Sequence, residues 1–156
     1  MSAPTQPALM PMLAYEDGAA AIDFLTKAFG FTERMRLTGD DGSIGHAELA
    51  LGDAVIALAT PAGIGYESPR HHREHCATAM RWTEQPWVVN GVLVYVDDVD
   101  AHAAQARAAG ATLLSEPEDT PYGDRNYRVE DLEGHRWMFS QRIRDVAPSE
   151  WGATTP

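Results

Sequence analysis

His46 and Glu48 stand two positions apart in Ile44–Leu51, where Ala47, Leu49 and Leu51 alternate with the residues between them. In a strand that spacing puts imidazole and carboxylate on one face. Side by side they form an acid–base pair, which makes them the candidate catalytic residues; on a solvated face the same pair is ordinary edge polarity. His71-His72-Arg73-Glu74-His75-Cys76 is the densest run of ligating atoms. Were it helical, His71 and His75 would share a face and Cys76 could add a third donor, although no paired-cysteine spacing accompanies them. As a loop it is solvated surface or a cover over a cleft. Cys76 has no activating neighbour beyond His75, so it is a poor candidate nucleophile. Arg125, Arg128 and Arg136 offer guanidinium groups for a ligand carboxylate, or for a structural pair with Asp124.

These side chains need elements to carry them. Leu9–Tyr15 reads as a strand with Pro11 near its start, where a missing donor is tolerated. Asp17 can cap a helix over Ala19–Phe29, whose Ile22, Leu25, Ala28 and Phe29 recur at helical spacing, and Gly30 can close it with a positive φ. Phe31–Leu37, Ile44–Leu51 and Ala54–Ala59 follow as strands, the last two joined by the Gly52-Asp53 turn. The same plan returns in the second half: strand Gly91–Val96, helix Val99–Ala109 with Gly110 after it, then strands Thr112–Ser115, Arg125–Glu130 and His135–Ser140. Tyr15-Glu16-Asp17 aligns with Tyr95-Val96-Asp97, and Lys27-Ala28-Phe29-Gly30 with Arg107-Ala108-Ala109-Gly110. A repeated unit of this kind buries its apolar face against its twin. The expected organisation is one domain: a first βαβββ module at 8–60, an irregular inter-module loop at 61–89, a second module at 90–141 and a tail at 142–156. The loop is long enough to be a lid or an interface. Trp151 in the tail is either an anchor for a partner surface or part of a disordered end.

The chain has 156 residues, 44% of them hydrophobic and 22% charged, which suits a soluble globular domain with a real core. A net charge of -11 repels phosphate backbones and anionic lipid, so neither nucleic acid nor a membrane is an expected partner. A lone cysteine excludes an internal disulfide and suits a reducing cytoplasm.

Three stretches carry a family resemblance: Ala21-Ile22-Asp23-Phe24-Leu25-Thr26-Lys27-Ala28-Phe29-Gly30, Val96-Asp97-Asp98-Val99-Asp100-Ala101 and Val129-Glu130-Asp131-Leu132-Glu133-Gly134-His135. With them the chain resembles the vicinal-oxygen-chelate superfamily of glyoxalase I, extradiol dioxygenases, fosfomycin-resistance enzymes and bleomycin-resistance proteins. The resemblance implies an α+β fold of two tandem βαβββ modules whose curved mixed sheets surround a cleft. Metal-using members place four ligands, His, Glu or occasionally Gln, on the first and last strands of the two modules. Carried onto this chain those positions are Met10, Ala57, Gly91 and Met138. Thioether, methyl and bare backbone are no match for imidazole and carboxylate, so no metal and no other cofactor is expected there.

If those positions mark the inner face, the ligand-binding residues are Met10, Met12, Ala57, Arg136 and Met138, with Arg125 as a further polar fixture. Such a wall is deformable and suits an organic molecule. Trp87 could stack a planar ligand, whereas strand parity sends Trp137 to the helix-packed side. Two functions follow from the resemblance. One is a metal-independent small-molecule-binding protein that sequesters an organic ligand or antibiotic, with the bleomycin-resistance branch implying a homodimer and clefts between subunits. The alternative is a glyoxalase- or dioxygenase-like enzyme, a lyase, isomerase or oxygenase with a displaced metal or an acid–base site at His46, Glu48 and Arg136. Whether the chain is an enzyme is left open by the residues.

Overall fold

The computed structural model describes residues 6–87 and 91–156, so the first residues of the leader and the last of the inter-module segment lie outside the described residues. The first module is β1 (Met12–Ala14), α1 (Gly18–Phe29), β2 (Thr32–Thr38), β3 (Ile44–Leu51) and β4 (Ala54–Ala59). Two helices follow, α2 (Pro69–His75) and α3 (Ala77–Trp82). The second module is β5 (Gly91–Tyr95), α4 (Val99–Ala108), β6 (Thr112–Leu113), β7 (Glu118–Asp119), β8 (Asp124–Glu130) and β9 (Arg136–Arg142), with a 3₁₀ turn at Pro148–Trp151.

Asp17 caps α1 by accepting from Ala20 N, and Gly30 ends the helix in the left-handed region at φ 75°. Asp98 repeats the cap on α4 by accepting from Ala101 N. Tyr15 N donates to Ala59 O, and Val96 N donates to Ser140 O. Asp17 and Tyr15 therefore correspond to Asp98 and Val96, one residue further along than the Tyr15/Tyr95 match predicts. The tyrosines mislead because they face opposite ways: Tyr15 is wholly buried, whereas Tyr95 is 52% exposed.

The first sheet runs β1-β4-β3-β2 and the second β5-β9-β8-β6, with β7 alongside β8. β1 and β5 each pair in parallel with the last strand of their module and form a sheet edge; every other pairing is antiparallel. The two sheets are not closed on one another. Their inner faces share one core with α1 and α4, built from Ala47, Leu49, Ile56 and Leu58 on one side and Tyr127, Val129, Trp137 and Phe139 on the other. Phe29 of α1 reaches across, with ring centroids 5.4 Å from Trp137 and 4.9 Å from Phe139. Burying side chains of this size contributes about 1.5–3 kcal/mol each. Trp137 thus lies on the helix-packed side, as its parity predicts.

Polar contacts lock the modules together. Asp131 accepts from the Tyr15 hydroxyl at 2.7 Å and from Trp137 Nε1 at 3.1 Å. Burial, then the Asp131 carboxylate, push the Tyr15 phenol well above its ordinary pKa. Glu133 accepts from the amides of Glu16 and Asp17 at 2.7 and 2.9 Å, so the second module's β8–β9 turn steadies the start of α1. His102 on α4 lies 2.9 Å from Phe29 O and 2.7 Å from the Tyr127 hydroxyl, a neutral imidazole with both ring nitrogens engaged. Among the described residues no helix is long and apolar enough to cross a membrane.

Candidate functional site

With the inner faces spent on the core, the outer faces are where a ligand can be met. On the second sheet the pairing sets three outer rows: Gly91, Arg136 and Glu130; Leu93, Met138 and Arg128; Tyr95, Ser140 and Asn126. Leu93 and Met138 form a floor shared by two hollows. One, of about 420 Å³, is walled by Tyr95, Tyr122, Asp124 and Trp151. The other, of about 210 Å³, is walled by Pro86, Trp87, Arg128 and Arg136. Trp151 stands over the first with its ring 5.6 Å from Tyr122, so the tail forms a wall of this hollow. Leu93, Tyr95 and Tyr122 are not among the lining residues expected from the sequence. The alternation Gly91, Leu93, Tyr95 was the signal for the first two; nothing local distinguishes Tyr122.

The three arginines have different fates. Arg125 lies on the helix side of β8, where Asp100 takes it with two contacts of 2.9 Å and Asp119 with one of 2.8 Å. These hydrogen bonds raise its pKa, and it is not brought to the hollows. Residue parity explains this: Arg125 is odd where Arg128 is even, so they leave opposite faces of one strand. Arg136 is 3% exposed and fully engaged. It gives two contacts to Glu130 Oε1, at 3.1 and 2.9 Å, and donates to the carbonyls of Gln85 and Thr83 at 2.6 and 3.0 Å. Arg73 adds a bidentate pair to Glu130 at 2.8 and 2.9 Å. Burial alone would push Glu130 up, but the two guanidinium groups hold its carboxyl below the usual range. Arg128 has no side-chain partner among the described residues and lines the smaller hollow.

On the first sheet Met12, Ala57 and Glu48 share an outer row. Met12 is 81% exposed on the edge strand, Met10 is half-buried, and Ala57 is buried. Glu48 is 4% exposed. It lies 3.2 Å from Gln6 Nε2, 3.2 Å from Arg34 and 3.4 Å from His46 Nε2. His46 and Glu48 therefore do share a face, but at the long end of contact and with the carboxylate committed to other partners. The core layer separates this group from Arg136 and Met138, so one chain does not bring the predicted lining residues together.

The corrected repeat matches Met10 with Gly91 and Ala57 with Met138, since β1 pairs Met12 with Ala57 and β5 pairs Leu93 with Met138. The four positions are thus symmetry-related, and none bears imidazole or carboxylate. A divalent ion held in the family manner does not fit these residues.

The inter-module segment departs from expectation. Instead of a solvated loop it forms α2 and α3, with Ser68 capping α2 by accepting from His71 N and Pro69 in its first turn. Composition hides this: one proline and two glycines lie between β4 and α2, and three histidines fill the helix. The helices enclose a cavity of about 270 Å³ with Tyr66, Glu67, His72, Trp82 and Arg136 in its wall. Glu16 holds the segment from below, accepting from Ser68 N at 2.5 Å and facing His71 Nδ1 at 3.0 Å. Cys76 is half-buried between the two helices.

Comparison with known proteins agrees with this architecture. Residues 9–139 match the family described as the glyoxalase/bleomycin resistance protein/dioxygenase superfamily. The uncharacterized protein Mb0911c of Mycobacterium bovis is 34% identical over 150 residues, covering 96% of this chain and 93% of that protein. The crystal structure of TioX from a Micromonospora species is 32% identical, with a TM-score of 0.65 over 88% of this chain and 100% of that one. A glyoxalase/bleomycin resistance protein/dioxygenase family enzyme from Burkholderia phytofirmans shares the fold at 21% identity, with a TM-score of 0.58 over 85% and 95% of the two chains.

Proposed function

The chain belongs to the glyoxalase/bleomycin resistance protein/dioxygenase superfamily, and from that premise we propose that it binds a small organic molecule without a metal at the family's ligand positions. The observation that carries this reading is the outer face of the second sheet. Leu93 and Met138 make an apolar floor, Trp87 and Trp151 stand at its two ends, and beside it Arg128 offers a guanidinium with no side-chain partner among the described residues. That set suits a planar, largely apolar ligand bearing one carboxylate or similar anion: the rings stack and the floor desolvates, while Arg128 supplies a charge-assisted hydrogen bond.

A second copy completes the site in this proposal. Leu9 and Met12 are exposed at 78% and 81% at the β1 edge of the first sheet, Met35 and Leu37 at 43% and 66% on β2 at its opposite edge, and β1, β2 and β5 each have an edge with no neighbouring strand among the described residues. Water-exposed apolar surface beside an open edge is the surface a partner covers. A homodimer that set the first sheet of one copy against the second sheet of the other would bring Met10, Met12 and Ala57 opposite Met138. The lone thiol favours a cytoplasmic setting.

Fluorescence titration of the four tryptophans with aromatic carboxylates and aromatic antibiotics, in EDTA, tests the reading. Saturable quenching that weakens in Arg128→Ala and Trp151→Ala is expected. Flat titrations across the panel would remove the proposal. The acid–base alternative keeps one supporting observation, His46 beside Glu48 at 3.4 Å. Turnover of a methylglyoxal–glutathione mixture that disappears in His46→Gln would establish it instead.

A further inference from the structure

We propose that Glu67, His71 and His75 form a binding site for one divalent transition-metal ion of the imidazole-preferring class, such as Zn²⁺ or Ni²⁺, at the rim of the cavity beneath α2 and α3. The site lies outside the strand positions of the family and is independent of the ligand reading above.

Donor atoms of the three residues all lie within 4.8 Å of one another. His71 and His75 are one turn apart on α2, with ring centroids 6.0 Å from each other. His75 Nε2 is 3.0 Å from Glu67 Oε2. A tetrahedral ion with bonds of about 2.1 Å holds neighbouring donors about 3.4 Å apart, so this pair already stands near a chelating separation. His71 is oriented as metal-bound histidines are: its Nδ1 faces Glu16 Oε1 at 3.0 Å, which leaves Nε2 free to ligate. Glu16 is itself anchored by Ser68 N. His72 Nδ1 contacts Glu67 Oε2 at 3.1 Å and helps aim that carboxylate.

Two imidazoles and one carboxylate are the donor set of three-ligand zinc sites, which keep a coordination position open. All three side chains are at least one-third exposed, so an ion reaches them from solvent. Of the three ligands Glu67 lines the cavity, so the site stands at its rim. Through Glu16 the ion would also fasten α2 to the first module. Binding to the folded state then raises stability by mass action.

Calorimetry and thermal melts of the untagged chain with Zn²⁺ alone test this. We expect one equivalent per chain, a melting temperature that rises with Zn²⁺, and loss of both effects in His71→Ala/His75→Ala. Glu67→Gln should weaken binding, and Glu16→Gln should weaken it about tenfold by removing the carboxylate that raises the basicity of the His71 ring. Cys76→Ser should leave it unchanged. Zinc-dependent shifts of the His71 and His75 ring nitrogens in NMR of the unaltered chain give the same answer should a variant fail to fold. No bound zinc, equal binding by the double variant, dependence on Cys76 or unshifted rings would each overturn the assignment. The ligand titrations are run in EDTA, so neither result decides the other.

Discussion

The outer faces of the two sheets follow one βαβββ plan with opposite furnishing. Glu48 opposes Ala57 on the first sheet, whereas Arg128 opposes Met138 on the second. Glu48 is hemmed in by Gln6, Arg34 and His46, while Arg128 faces a hollow with no partner among the described residues. The second sheet carries its own buried carboxylate, Glu130, but that group ties α2 and the Thr83–Gln85 backbone to β8 through Arg73 and Arg136. A charge satisfied within the fold is structural, and a charge left over is available to a ligand. The comparison is why the proposed ligand site is placed on the second sheet and not at His46 and Glu48.

The largest expected effect lies between the two faces. Trp137→Ala opens a cavity against Phe29, Phe31 and Phe139 and should cost about 3–5 kcal/mol in denaturant unfolding, loosening both sheets alike. Glu130→Ala strands Arg136 and Arg73 in a low-dielectric site and should cost about 3 kcal/mol or more. Glu48→Ala, whose partners reach water more readily, should cost about 1–2 kcal/mol. Equal losses from the two variants would erase the contrast drawn here. Arg128→Ala should weaken a carboxylate ligand about tenfold while leaving the unfolding midpoint in place, and Glu48→Gln should leave affinity unchanged.

The smallest effect is a pH slope at the seam between modules. Burial holds His102 below its ordinary pKa, with its bond to Phe29 O opposing. The unfolded chain therefore takes up a proton first as pH falls through about 6.5. Stability from this residue is complete above that value and declines below it. Urea midpoints at about pH 7.5 and about pH 5.5 should differ less in His102→Gln than in the unaltered chain. An identical difference in both would exclude His102 as the source.

Much of the fold is legible in the residues. The 3.6-residue spacing of Ile22, Leu25 and Phe29 and the Asp17 cap write α1, and the alternation through Ile44–Leu51 writes β3. The chemistry of Met10, Ala57, Gly91 and Met138 follows from residue type once the positions are known. The repeat register was off by one, because a surface tyrosine resembles a core tyrosine in sequence. The residues leave α2 open between helix and loop because its support is tertiary: Glu16 and the Glu133 carbonyl, both distant in sequence, hold its first turn. For Arg125, a charge near a cleft and a charge bound to Asp100 look alike in sequence until the strand's two faces are assigned.

Local pattern and residue chemistry belong to the sequence: two βαβββ units, their caps and turns, and the missing cation donors. These depend on neighbours within a few positions, or on side-chain type alone. Tertiary structure decided which face each arginine takes, which carboxylates are spent, and that His71 and His75 turn to one side. Those outcomes depend on contacts between residues far apart in the chain, where burial and charge pairing are settled by packing.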